Sequence, residues 1–135
     1  MGSDERESEL RAAAESLRIQ TDRRPVEDGE VAFISVEGEV DLANAEELAG
    51  ALRSGGDGAG GGIVLDLREV PFMDSTGLKV ILIASRDLGP PLAVVCGTGS
   101  AVRRLLDLAG VADRVPSFES EEEALAAIGP TGPAA

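Results

Sequence analysis

Histidine, tryptophan and tyrosine are absent from the sequence, and Cys96 is its only cysteine. Without histidine the chain lacks the most common general base and the most common metal ligand, and a single cysteine cannot close an intrachain disulfide. We therefore expect a reducing compartment, and we interpret Cys96, at the end of the apolar run LAVVC, as part of the core. Because aromatic residues make up 2% of the chain, that core has to be built from aliphatic side chains.

Basic residues and long apolar runs are also scarce. The chain has 12 Lys and Arg against 25 Asp and Glu, a net charge of -13, which repels nucleic acid phosphates and anionic membrane surfaces. Its apolar runs are much shorter than a membrane span, and the charged start MGSDERESEL lacks the apolar region of a secretory signal. We therefore expect a cytoplasmic protein that binds neither nucleic acid nor membrane, with the acidity serving solubility or a basic protein partner.

The 135 residues fit one domain. We place that domain at residues 17–128. It follows a polar, alanine-rich extension at 1–16, which could form a frayed helix or be disordered, and it precedes a flexible tail at 129–135. Two β-rich runs, SLRIQT and EVAFISVEGEV, predict an antiparallel hairpin at one edge of a sheet.

Strand and helix patterns alternate from residue 31 onward. The apolar runs GIVLDL and PLAVVC predict buried strands, and DRVPSF predicts a short edge strand. Helices are predicted at about 44–53, in STGLKVILIASRDLG, in SAVRRLLDLAG and after Ser120. The alternation predicts an α/β fold with a mixed, mostly parallel sheet of roughly four to five strands and about four helices.

Two capping boxes and a glycine-rich stretch mark the ends of these elements. The spacing of an N-cap residue and its capping-box glutamate occurs twice, at Asn44 with Glu47 and at Ser120 with Glu123. The stretch 54–62, SGGDGAGGG, lacks the G-K-[ST] ending of a phosphate-binding loop, so we interpret it as a flexible linker.

The stretch PFMDSTGLKV, residues 71–80, sets an acidic residue and two hydroxyl residues before an apolar run. Ser75 is a poor candidate for a catalytic nucleophile, because a nucleophile elbow needs G-x-S-x-G and a base. Position 73 is methionine and histidine is absent. Lys79 would be exposed and mostly protonated, hence a weak base. An enzyme built on Ser75 is therefore disfavoured.

Two further patterns raise the question of a cofactor or a metal ion. CGTGSAV follows a strand and opens a helix, as a dinucleotide-binding loop does, but Val102 stands where the third glycine belongs; we interpret it as a tight turn capped by Ser100. Asp41, Asp66 and Asp74 lie near predicted strand ends and could bind a metal ion if their loops converge. Isolated aspartates at such points more often cap helices and form turns, so we expect no cofactor and no metal.

Ser75 falls at the N-cap or in the first turn of its predicted helix. Unpaired backbone N–H groups and the positive end of the helix dipole favour an anion there. A phosphate would add about 1.5 to 2 negative charges and could block a docking face without unfolding the domain. On physical grounds alone, a serine that only caps its helix is favoured over a phosphorylated one.

Three blocks of the sequence, in this order, resemble the STAS-domain anti-sigma factor antagonists of bacterial partner-switching systems: VEGEVDLANAEEL, IVLDLREVPFMDSTGLKVIL and AVRRLLDLAGV. The resemblance covers residues 17–128, and the run D-S-[ST]-G-L after Phe-Met is the family's phosphorylation-site signature. The long N-terminal extension, the glycine-rich stretch 54–62, and Asn44 in place of a common threonine depart from the family pattern. These departures bear on the identity of the partner and leave the fold unaffected.

The resemblance implies a regulatory cycle. The unphosphorylated protein binds an anti-sigma factor that is also a serine kinase, which frees the sigma factor; phosphorylation of Ser75 breaks the complex, and a serine phosphatase restores it. It implies that Asp74 supports kinase binding and phosphoryl transfer, and that a set of neighbouring residues forms the partner surface. The residues expected on that partner surface are Gly38, Glu39, Asp41, Asp74, Ser75, Thr76, Gly77 and Lys79.

The resemblance also implies that the nucleotide and the catalytic groups belong to the partner, so this chain is expected to be a substrate and binding module, with no enzymatic activity of its own. The alternative is a STAS module that acts as a stressosome scaffold or as the cytosolic subunit of a lipid or anion transport assembly. Such a role would normally leave Ser75 unmodified. The sequence leaves the oligomeric state open.

Overall fold

The computed structural model describes residues 16–27 and 29–128, and within them the strands form one sheet in the order β1-β2-β3-β4-β5. The strands are β1 (Arg18–Val26), β2 (Gly29–Glu37), β3 (Gly62–Glu69), β4 (Leu92–Val95) and β5 (Ser117–Phe118). The pair β1–β2 is antiparallel and the other pairs are parallel. The predicted edge hairpin and mixed, mostly parallel sheet are confirmed.

Helices follow the strands on both faces of the sheet. They are α1 (Ala45–Gly56), α2 (Ser75–Asp87), α3 (Ala101–Ala109) and α4 (Glu121–Ile128). The larger hydrophobic cluster contains buried residues of α1, α2 and α3, such as Leu48, Ile81 and Val102. The smaller cluster contains Ala124 of α4 with Phe33 and other strand residues. The described part of the chain is therefore an α/β domain with three helices on one face and one on the other.

Consecutive strand residues alternate between the two clusters. In β2, Ala32 and Ile34 belong to the larger cluster, while Val31 and Phe33 belong to the smaller one. Because successive strand side chains point to opposite faces, both faces of this strand are covered. This explains why the run reads as continuously apolar in the sequence.

Cys96 follows β4 in the larger cluster and is fully buried. Burial raises the pKa of its thiol above the ordinary value, because the interior disfavours the charged thiolate. The side chain therefore stays a neutral part of the core, as expected from the sequence.

The glycine-rich stretch 54–62 is a linker only at residues 57–61, so the predicted bounds of the linker are wrong at both ends. The helix α1 continues to Gly56 and β3 already begins at Gly62. A Cβ at Gly55 would lie 2.6 Å from Ile34 Cδ1, so α1 packs closely against β2 here and a larger residue would require the Ile34 side chain to shift. The Arg23 guanidinium of β1 donates to the Gly55 carbonyl at 3.0 Å, which holds the end of the helix in place.

One predicted capping box is confirmed and the other is wrong. Ser120 Oγ accepts from Glu123 N at 3.1 Å and donates to the Glu123 carboxylate at 3.2 Å. Asn44 occupies the N-cap position of α1, but its side chain makes no capping bond, and Glu47 Oε1 accepts from Leu17 N at 3.0 Å instead. Asn44 is buried inside the preceding loop, so its side chain serves that loop and not the helix.

Candidate functional site: the surface around Ser75

The predicted partner-binding residues lie where β2 and β3 end. These strands are parallel neighbours, so the segments that follow them emerge at the same edge of the sheet. The two segments are joined by a parallel bridge between Val40 and Met73. Val40 N donates to Phe72 O at 3.0 Å, and Asp74 N donates to Val40 O at 3.0 Å. Residues 38–42 and 72–79 therefore form one continuous region, which we call the Ser75 surface.

Asp74, not Ser75, caps α2. Its Oδ1 accepts from Thr76 N at 2.9 Å and from Gly77 N at 3.3 Å, as the side chain of an N-cap residue does. Ser75 is the first helical residue and is exposed to solvent. Of the two positions predicted for Ser75, the first turn is correct and the N-cap is wrong. These bonds weaken the argument that the helix end favours a phosphate. Two of the backbone N–H groups that would bind the phosphate already donate to Asp74.

Gly77 packs the first turn of α2 against the bridge. It is buried, and a Cβ at this position would lie 2.6 Å from Met73 Cγ and 2.8 Å from Val40 Cγ1. A larger residue at this position would force the side chains of Met73 and Val40, or the helix itself, to shift. The glycine of the D-S-T-G run is therefore a packing requirement, for which the sequence offered no physical reason.

The loop after β2 is held in shape by its own side chains. Gly38 has a φ of 121°, which disfavours other residues, and its N–H donates to Glu69 O at 3.2 Å. Asn44 Oδ1 accepts from Asp41 N at 3.0 Å, and Asn44 Nδ2 donates to Glu39 O at 2.8 Å. Asn44 thus braces the predicted partner loop, a role that sequence reasoning missed by assigning it to the helix.

The three aspartates considered as metal ligands are each engaged locally. Asp66 forms a bidentate pair with Arg68, at 2.6 Å between Asp66 Oδ2 and Arg68 Nη2, and this hydrogen bond raises the pKa of Arg68. Asp41 Oδ1 accepts from Ala43 N at 3.0 Å, and Asp74 caps α2. Over residues 16–27 and 29–128, no group of three or more Cys, Asp or Glu residues is placed to hold a metal ion.

The structure also shows the positions of the CGTGSAV turn and of two exposed residues of the predicted partner surface. In the CGTGSAV turn, Ser100 Oγ accepts from Arg103 N at 3.1 Å and caps α3, as predicted. Lys79 and Glu39 are exposed on the Ser75 surface. Among the helices of the described ranges, none is long and apolar enough to span a membrane.

Two exposed apolar residues were missed entirely. Leu42 is 79% exposed and Phe72 is 45% exposed, and both belong to the Ser75 surface. The sequence did contain a signal for each of them. Leu42 is an apolar residue in the polar turn DLAN, and Phe72 is one of only three phenylalanines in the chain.

Comparison with known proteins identifies the family of this fold and site. The STAS domain model matches residues 23–124. The chain belongs to the STAS domain family. The Ser75 surface is therefore part of a STAS domain, as the sequence resemblance implies.

The relatives of this STAS domain protein are anti-sigma factor antagonists. It is 31% identical over 99 residues to the anti-sigma-F factor antagonist RsfB of Mycobacterium tuberculosis, over 73% of this chain and 81% of RsfB. It is 32% identical to an anti-sigma factor antagonist from Mycobacterium paratuberculosis, whose crystal structure matches 82% of this chain and 94% of that chain with a TM-score of 0.69. The predicted membership of the anti-sigma factor antagonist family is confirmed.

A more distant structure shows the same fold. The Bacillus protein SpoIIAA in its phosphorylated form is 21% identical, and the match covers 80% of this chain and 96% of SpoIIAA with a TM-score of 0.58. At this identity the likeness concerns the fold alone. The predicted STAS-like architecture is confirmed.

Proposed function

We propose that this STAS domain protein is an anti-sigma factor antagonist that is switched by phosphorylation of Ser75. In its unphosphorylated form it binds an anti-sigma factor that is also a serine kinase, and the sigma factor is released. Phosphorylation of Ser75 ends the complex, and a serine phosphatase restores the binding form. Because sigma factors act on RNA polymerase, the cycle takes place in the cytoplasm.

The observation that carries this proposal is the position of the Ser75 hydroxyl. It is exposed at the start of α2, and the Val40–Met73 bridge places the 38–42 loop beside it. A kinase that transfers a phosphoryl group to Ser75 Oγ has to contact this loop as well. In that transfer the Ser75 Oγ–H proton goes to a base of the kinase, Oγ bonds to the γ-phosphorus, and ADP leaves.

The remaining residues of the surface have distinct roles in this proposal. Asp74 fixes the first turn of α2 and hence the direction of the Ser75 side chain, while Gly77 holds that turn against the bridge. Lys79 lies four residues after Ser75, on the same helical face, where it can pair with an acidic group of the partner or with the phosphate. Glu39 and Asp41 supply negative charge toward a basic partner. Nucleotide binding and catalysis belong to that partner.

A phosphorylation assay with purified proteins tests the proposal. Each anti-sigma factor kinase encoded in the source genome is incubated with the chain and ATP, and peptide mass spectrometry should place the phosphate on Ser75. Ser75→Ala should stay bound to the kinase, whereas Ser75→Asp should bind on the order of tenfold or more weakly, because the added carboxylate beside Asp74 would have to lose its hydration on entering the interface.

Ser54→Ala, at an exposed serine of α1, is the matched control and should be phosphorylated and released like the unmodified chain. Phosphate found only on other residues would refute the site. Equal affinity of the alanine and aspartate variants would instead favour a scaffold or transport-assembly role, in which Ser75 is not a switch.

A further inference from the structure

The Ser75 surface presents two large apolar side chains to solvent. Leu42 is 79% exposed and Phe72 is 45% exposed. Leu42 lies in the turn that joins β2 to α1, and Phe72 directly precedes the bridge residue Met73. Exposed apolar side chains that lie together and are surrounded by polar residues mark protein interaction sites.

The backbone places Leu42 and Phe72 on the two segments that the bridge joins beside Ser75. In the parallel bridge, the segments run side by side at about 4.8 Å, with Val40 opposite Met73. Leu42 and Ser75 each lie two residues beyond the bridge on their own segment, and Phe72 lies one residue before it. A partner that contacts both segments of the Ser75 surface can therefore reach both apolar side chains.

The turn that carries Leu42 is already ordered by hydrogen bonds. Asn44 Oδ1 accepts from Asp41 N at 3.0 Å, and Asp41 Oδ1 accepts from Ala43 N at 3.0 Å. Phe72 is held through its carbonyl, which accepts from Val40 N at 3.0 Å. Because the backbone of both segments is fixed before binding, the entropy lost in a pocket is that of the side chains and not of the backbone.

We propose that Leu42 and Phe72 are the apolar anchors of this protein, and that they fill an apolar pocket with a basic rim on the anti-sigma factor kinase. This inference rests on the proposed function and names the chemistry of its partner. The charges of the Ser75 surface argue for the basic rim: Glu39, Asp41 and Asp74 are acidic and Lys79 is its single basic residue, in a chain of net charge -13.

The anchors also account for release by phosphorylation. Apolar anchors stabilise a complex only when water leaves the contact. A phosphate on Ser75 adds a strongly hydrated group of about 1.5 to 2 negative charges to the same surface. Because the phosphate retains its water, water also stays around Leu42 and Phe72. The complex therefore dissociates although the fold is unchanged.

Binding measurements with single serine variants test this inference. The dissociation constant for the purified kinase, without nucleotide, should rise about tenfold or more for Leu42→Ser and for Phe72→Ser. Leu108→Ser is the matched control, because Leu108 is 81% exposed and lies on α3, outside the Ser75 surface; its affinity should stay within about twofold of the unmodified chain. Phe72→Leu keeps an apolar side chain and should retain most of the affinity, which separates loss of the anchor from loss of folding.

Three results would overturn the inference. If Leu42→Ser and Phe72→Ser bind like the unmodified chain while Ser75→Asp does not, the anchors are wrong and the proposed function stands. If affinity does not fall as salt is raised from roughly 0.05 to 0.5 M, over which the screening length falls about threefold, the basic rim is wrong. If the unmodified chain binds none of the kinases, the proposed function and this inference fail together.

Discussion

At the scale of single residues, Gly77 and Gly50 show how similar glycines differ in role. Both are helical, but a Cβ at Gly77 would overlap Met73 and Val40, whereas a Cβ at Gly50 would meet only Arg53 Nη2 at 4.0 Å. Glycine costs conformational entropy in any helix. At Gly77 the entropy cost of glycine is offset by close packing against Met73 and Val40. At Gly50 no such packing offsets it.

Gly77→Ala is therefore expected to lower the free energy of unfolding by about 1 to 3 kcal/mol, because the added methyl overpacks the bridge. Gly50→Ala, the matched control, should raise it by about 0.5 to 1 kcal/mol. Urea unfolding monitored by circular dichroism measures both. An equal gain in stability for the two variants would contradict the close approach of α2 to the bridge.

At the scale of elements, the strands and most helix starts are predictable because they depend on local patterns. The double-sided apolar run in β2 and the capping box at Ser120 are examples, since each signal lies within a few residues. The end of α1 is not predictable in this way. Gly55 is recognisable as a packing glycine only when Ile34, from another strand, is known to lie against it.

The candidate site also has some features that follow from local sequence and others that depend on distant contacts. The helix start at Ser75 follows from its local sequence, but the bridge between Val40 and Met73 depends on the parallel register of β2 and β3. The bracing role of Asn44 was hidden because its spacing to Glu47 matches a capping box equally well. Long-range register and burial, neither of which a single sequence displays, decided both cases.

The end of α1 provides a test of this packing. Arg23→Ala removes the donor to the Gly55 carbonyl, and to the Ser54 carbonyl at 3.5 Å. We expect the free energy of unfolding to fall by about 1 to 2 kcal/mol and the last-turn amides of α1 to exchange faster with deuterium. Arg24→Ala is the control: Arg24 lies over the Phe33 ring at 3.9 Å, so its loss should cost about 0.5 to 1 kcal/mol and leave α1 exchange unchanged. Identical exchange in both variants would exclude this role for Arg23.

At the scale of the whole molecule, we propose that the folded unit begins at Leu17. This residue is buried, its N–H donates to the Glu47 carboxylate, and its Cδ2 would lie 3.3 Å from a Cβ at Gly38. It therefore joins β1, α1 and the loop of the Ser75 surface.

A chain that begins at Ser16 should melt at the temperature of the full chain, whereas one that begins at Arg18 should lose about 2 kcal/mol or more and bind the kinase more weakly. Differential scanning calorimetry and the binding assay above measure these effects. Unfolding of the chain that begins at Ser16 would move the domain boundary toward the N-terminus.

The cap formed by Asp74 has a consequence for how long a phosphorylated state lasts. Because its Oδ1 already accepts from Thr76 N and Gly77 N, a phosphate on Ser75 gains no bond from these groups and carries the same sign of charge as the cap. In the proposed cycle, Lys79 is then the one group of the Ser75 surface that can pair with the phosphate, and the backbone of the helix start does not hold it. If Ser75 is phosphorylated as proposed, we expect a phosphatase to reach the group without opening the domain, so that the supply of kinase and phosphatase sets the lifetime of the phosphorylated state.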